Sequence, residues 1–163
     1  MEGFENWYQK LSEKMRSHPD AVFVLNRFNT VFTALFYLIY GAVLFYCLMY
    51  RRQDVFQFII IPGGGFAAVT VLRRLLNRRR PYEALAIDPL ITKDTEGNSF
   101  PSRHMYSAAV ISMCMWKIWP PAGIVLVVLT VLEGFTRVIG GVHYPSDVLA
   151  GTAIGVLCGL LLH

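Results

Sequence analysis

Residues 122–162 read AGIVLVVLTVLEGFTRVIGGVHYPSDVLAGTAIGVLCGLLL. Two apolar runs, Ala122 to about Val138 and Pro145 to Leu162, flank a short segment holding Arg137, Gly140, Gly141, His143, Ser146 and Asp147. Each run approaches the ~20 residues needed to cross a hydrocarbon core of about 30 Å. In lipid a helix satisfies its own backbone hydrogen bonds, so the pattern reads as a membrane helical hairpin with a polar tip.

Three further runs lie outward from it: Phe28 to Met49, Val55 to Leu76 and Ser102 to Trp119. Polar or turn-forming residues separate them at Tyr50–Asp54, Pro81–Pro101 and Pro120-Pro121. Of 163 residues 55% are hydrophobic and 16% charged. A soluble domain carries about a quarter charged residues, so composition agrees with the bilayer. The expected fold class is an all-α polytopic membrane bundle with five transmembrane helices and an N-terminal amphipathic interfacial helix. It reads as one domain over 1–163, with 1–27 as interfacial helix and lead-in and 28–163 as transmembrane core.

In the N-terminal segment, Phe4, Trp7, Tyr8, Leu11 and Met15 recur at helical spacing and predict one apolar face. Such a helix lies in the membrane interface or binds a partner. No apolar core of a cleavable signal peptide precedes it. Pro62-Gly63-Gly64-Gly65 sits inside the second run without the Lys-Ser/Thr of a phosphate loop, and predicts a kink or a close helix crossing. Gly151, Gly155 and Gly159 form a smooth stripe that predicts packing against another helix, in this chain or in a second copy as a homo-oligomer. Cys47, Cys114 and Cys158 lack metal-ligand spacing and read as small buried hydrophobes.

The net charge is +4, with basic residues clustered at 51–52, 73–74 and 78–80. Each cluster adjoins an apolar run, so it reads as juxtamembrane charge and not as a nucleic-acid surface. Arg74, Arg78 and Arg79 read as snorkelling anchors.

Three polar clusters remain: Arg73 with Arg80-Pro81, then Pro101-Ser102-Arg103-His104, then Thr136-Arg137 with His143 and Asp147. Arg73 and Arg80 are seven apart and share a face if the helix continues. Counting crossings brings all three clusters to one membrane surface. Guanidinium groups bind phosphate oxygens by paired, charge-assisted hydrogen bonds and stabilise charge during phosphoryl transfer. A neutral imidazole, His143, can attack phosphorus, with Asp147 fixing its tautomer. His104 can protonate the leaving oxygen. Ser102 can cap a helix and still offer its hydroxyl to phosphate. Glu133, one turn before Arg137, costs ~3 kcal/mol in a membrane unless paired, and is expected to pair with Arg137 or a neighbouring arginine. No metal and no cofactor is called for.

These residues resemble the type 2 phosphatidic acid phosphatase (PAP2) family. Its signature runs K-x6-R-P, P-S-G-H and S-R-x5-H-x3-D, and the order and spacing match over roughly Val71 to Gly155. The resemblance implies a metal-independent phosphatase with a phosphohistidine intermediate. His143 is then the nucleophile, Asp147 its orienter and His104 the general acid. Arg80, Ser102 and Arg137 hold phosphate, and Arg73 stands where the family has Lys. Thr136 replaces Ser and keeps the hydroxyl.

Arg103 stands where the family has Gly, and either narrows the pocket or adds a cation suited to a second phosphate. The implied substrates are membrane lipid phosphates: undecaprenyl diphosphate, phosphatidylglycerophosphate or phosphatidic acid. The alternative is a non-catalytic lipid-phosphate-binding membrane protein of the same fold. The site side holds 12 of 15 Lys and Arg residues, which by the positive-inside rule favours the cytoplasm. Bacterial relatives act at the outer face, so the resemblance implies a bacterial cell membrane with an extracytoplasmic site.

Overall fold

The computed structural model describes residues 2–92 and 95–163. Among these residues seven helices follow in order: α1 Glu2–Arg16, α2 Pro19–Tyr50, α3 Val55–Leu76, α4 Pro81–Ala84, α5 Arg103–Ile118, α6 Pro120–Ile139 and α7 Pro145–Leu160. Among the described residues there is no strand.

Proline sets four helix starts: Pro19, Pro81, Pro120 and Pro145 each stand at a first helical position, where a missing N–H costs nothing. α2 begins at Pro19, upstream of the apolar run that starts near Phe28. Residues 19–27, PDAVFVLNR, join the helix, and Asn26 donates to the carbonyls of Val22 and Leu90. α3 ends at Asn77, whose left-handed backbone (φ 38) turns the chain. The helix therefore does not carry Arg73 and Arg80 on one face; Arg80 is brought back by the extended segment before Pro81.

Among the described residues three helices, α2, α3 and α6, are long and apolar enough to span a membrane. α5 and α7 have 16 residues each, about 24 Å at 1.5 Å per residue, which is short of a full core. α5 is the central post: Met105, Tyr106, Ala108, Ala109, Val110, Ile111 and Cys114 are buried. Around it α2, α3 and α6 turn large apolar side chains outward, among them Leu38, Phe45, Phe56, Ile60, Val128 and Phe135. That exposure suits a hydrocarbon solvent and no aqueous one.

Small residues let the helices touch. Gly151 lies against the Ser102 carbonyl, Gly155 against Ala109 and the Tyr106 carbonyl, and Gly159 against Met113. The glycine stripe thus packs against α5 of the same chain. Ser112 and Thr130 join α5 to α6 at 3.0 Å. Gly65 abuts Tyr106 and Cys158, whereas Gly63 and Gly64 face open space, so only one of the three glycines is a close crossing. Pro62 cannot donate to the carbonyl four residues back, and the Tyr40 hydroxyl donates to that carbonyl, Phe58 O, at 2.7 Å.

α1 is amphipathic, but its most buried residue packs on protein. Tyr8 is fully buried, its hydroxyl accepting from the Leu90 N–H at 3.1 Å, while Trp7 stays about half exposed. Arg16 pairs with Asp88 at 2.6 Å, and the Phe4 ring lies 5.6 Å from that of Tyr144.

Candidate active site

The three polar clusters meet where α3, α5 and the α6–α7 junction end together. A cavity of about 380 Å³ opens there, lined by Thr70, Arg73, Arg74, Arg80, Arg103, His104 and His143 with Thr95–Asn98 of the connecting loop.

His143 sits on the turn between α6 and α7. Gly140 and Gly141 make that turn, and Gly141 has φ +75. The imidazole is buried, which pushes its pKa down to about 4, against the raising effect of the Asp147 hydrogen bond and with Arg80 adding to the fall. It is therefore neutral at ordinary pH. Its Nδ1 faces Asp147 Oδ2 at 3.4 Å, and its Nε2 is buried without a hydrogen-bond partner.

Asp147 is the third residue of α7, and its Oδ2 accepts from the Tyr144 N–H at 2.9 Å as in a capping box. Two further residues hold it that the sequence reading missed. The Ser99 hydroxyl donates to Oδ2 at 2.5 Å, and Arg78 Nη1 donates to Oδ1 at 2.8 Å. Arg78 is thus not a free snorkelling anchor, and Arg74 lines the cavity. Spacing gives no signal for Arg78, which lies between the arginines of the first motif. Ser99 lies in the loop, two residues before Pro101.

The other residues divide by what their donors touch. Arg73 Nη1 donates to the Pro101 carbonyl at 3.0 Å. Arg80 donates to the carbonyls of Gly97 and Val142, each at 3.1 Å, tying the loop to the residue before His143. Burial lowers the Arg80 pKa from its usual value. Arg103 is half-buried, with its guanidinium 5.5 Å from the Phe66 ring centre. His104, in the first turn of α5, lines the cavity with His143.

Ser102 occupies the N-cap position of α5, yet its hydroxyl does not cap; it is buried and unpartnered. Arg137 Nε pairs with Glu133 Oε1 at 2.8 Å, leaving Arg137 Nη2 and Glu133 Oε2 without partners. The Thr136 hydroxyl turns back onto its own helix and donates to the Leu132 carbonyl. Orphaned polar atoms on Ser102, Arg137 and His143 are thus one from the second motif and two from the third. Buried polar groups are ordinarily paired, so these call for a polar ligand with several oxygens.

Fold and site together define an integral membrane protein with an arginine-lined cavity set at the ends of its helices. The chain belongs to the PAP2 superfamily, whose model matches residues 54–163. It is 33% identical over 118 residues to decaprenylphosphoryl-5-phosphoribose phosphatase of Mycobacterium tuberculosis, covering 69% of this chain and 61% of that protein. It is 37% identical over 82 residues to undecaprenyl-diphosphatase BcrC of Bacillus subtilis, covering 50% of this chain and 42% of that protein. The fold matches the crystal structure of a PAP2-type phosphatidylglycerolphosphate phosphatase from Bacillus subtilis, with TM-score 0.70 and 24% identity. That match covers 99% of this chain and 85% of the other. The chain thus spans about three-fifths or less of the length of these two sequence relatives.

Proposed function

We propose that the protein is a lipid phosphatase working through a phosphohistidine intermediate. One observation carries the reading: the buried His143 has Nδ1 on a carboxylate and Nε2 unpartnered, beside an arginine-lined cavity. Nε2 attacks phosphorus, the P–O bond to the lipid breaks, and His104 gives a proton to the departing oxygen. Asp147 accepts from Nδ1–H and balances the cationic ring. Arg73, Arg80 and Arg137 with Ser102 hold the phosphoryl oxygens, and Glu133 sets Arg137. Water then attacks the phosphohistidine, with His104 taking its proton, and inorganic phosphate leaves. The scheme invokes no metal.

The substrate is a membrane lipid phosphate or diphosphate, with undecaprenyl diphosphate, phosphatidylglycerophosphate and phosphatidic acid as candidates. An apolar cavity of about 230 Å³, lined by Tyr37, Tyr40, Gly63, Phe66 and Ile111, suits a lipid tail. Phe66 lines it and carries the Arg103 guanidinium over its ring, so the apolar space adjoins the cationic one. Arg103 supplies the added charge for a diphosphate; the idea fails if Arg103→Gly leaves the diphosphate-to-monophosphate preference unchanged. We place the protein in a bacterial cell membrane with the site at the outer face, and labelling of Thr95→Cys by an impermeant reagent in whole cells tests this. For the activity itself, purified protein is assayed against a panel of lipid phosphates with and without EDTA. Turnover in wild type, unaffected by EDTA and lost in His143→Ala, is expected; turnover surviving that substitution overturns the mechanism, and its absence on every lipid favours a binding protein.

A further inference from the structure

Arg78 is one of the unspecified residues between the two arginines of the first motif, yet it is more firmly built into the site than its 41% side-chain exposure implies. Its guanidinium sits 4.4 Å from the Tyr144 ring centre and 5.9 Å from that of Phe100. From there Nη1 reaches both Ser146 Oγ and Asp147 Oδ1 at 2.8 Å. Its backbone carbonyl accepts the Ser99 N–H at 2.9 Å, and Ser99 in turn donates its hydroxyl to Asp147 Oδ2. Residue 78 therefore addresses both carboxylate oxygens, Oδ1 directly and Oδ2 through Ser99.

We propose that Arg78 is a positioning residue that keeps His143 neutral by holding Asp147 and taking part of its charge. This rests on the reading of His143 as a nucleophile. The physical logic concerns one carboxylate shared between two cations. A buried Asp147 with no other charge partner would stabilise the imidazolium form of His143, and a protonated ring has no lone pair for phosphorus. Arg78 balances the carboxylate through Oδ1 before reaction, while Oδ2 stays 3.4 Å from Nδ1.

The arginines around His143 act in the same direction. Arg80 and Arg137 lie beside it, and Arg73, Arg74, Arg103 and His104 face it across the cavity. Glu96, on the cavity wall, is the opposing charge. Arg78 differs from these cations in acting through the carboxylate, from the side away from the cavity lining.

The test is a ¹⁵N NMR titration of the His143 imidazole in detergent-solubilised full-length protein, assigned by its loss in His143→Gln. Arg78→Gln is expected to raise the titration midpoint by about one pH unit, a Coulomb effect discounted for partial exposure. Arg78→Lys, which keeps the charge, is expected to return it near wild type. Tyr144→Leu removes the ring under Arg78 and keeps every charge; it is expected to shift the midpoint less, in the same direction, and serves if Arg78→Gln does not fold. The acid limb of kcat/KM moves with the NMR midpoint. An unchanged midpoint in Arg78→Gln, or in Tyr144→Leu where that variant serves, overturns the proposal whatever happens to kcat. Because the titration needs no turnover, an inactive wild type counts against the phosphatase reading alone.

Discussion

Gly151 of α7 lies directly against the backbone carbonyl of Ser102 at the start of α5, so the two helices touch backbone to side-chain-free backbone at the level of the site. The same approach lets the Ser102 N–H donate to the Asp147 carbonyl at 2.9 Å. Any side chain at 151 pushes the second motif away from the third. Gly151→Val is expected to destabilise the protein by about 1–3 kcal/mol, as overpacking does, and to remove most activity. Gly63→Ala and Gly64→Ala meet open space within a helix and are expected to be neutral or to stabilise by up to about 1 kcal/mol. Thermal unfolding in detergent with a parallel assay checks both.

Tyr40 and Pro62 form a second testable pair. The Tyr40 hydroxyl serves the Phe58 carbonyl only because Pro62 has no N–H to give it. Tyr40→Phe is expected to cost about 1 kcal/mol in wild type and almost nothing in Pro62→Ala, where the helix bond returns. A double-mutant cycle reads the coupling, and additivity would contradict the assignment.

The pH dependence of stability follows from the burial of His143. Its pKa in the folded chain, about 4, lies below the unfolded value near 6.5. Between those values the unfolded chain binds more protons, so the contribution is complete above pH 6.5 and is lost as pH falls towards 4. The loss is on the order of 3 kcal/mol. His143→Gln is expected to flatten the unfolding free energy over this window, which denaturant titrations at several pH values measure.

The N-terminal helix is expected to matter for catalysis through Gly141. A methyl group there would meet the Tyr8 phenol, and φ +75 strains any L side chain by roughly 1–2 kcal/mol. Gly141→Ala is expected to lower activity strongly. In a Tyr8→Ala background the collision is gone and only the strain remains, so the added penalty of Gly141→Ala shrinks. Equal penalties in both backgrounds would show that α1 does not press on the turn that carries His143.

Much of this protein was legible locally. Apolar runs and prolines mark the helices because propensity and lipid solvation act within a segment. The spacing of Arg80, Ser102, His104, Arg137, His143 and Asp147 is legible because it carries the resemblance to the PAP2 family, whose model matches this stretch of the chain. The pairing of Glu133 with Arg137 follows from their separation of four on one helix.

What tertiary structure decided is how each polar atom is spent. Arg78 and Arg79 are neighbours of like chemistry, yet only a folded chain places Arg78 between Phe100 and Tyr144 with Asp147 in reach. Ser99 reaches Asp147 because the loop folds back over 48 residues of sequence. The glycine stripe required a partner helix, and the fold supplied α5 of the same chain. Sequence by itself determined the helices, the membrane setting and the motif residues, since these rest on short-range periodicity and residue chemistry. The partner of each buried charge was decided only by tertiary structure, because a hydrogen bond depends on ångström-scale distances between segments far apart in the chain.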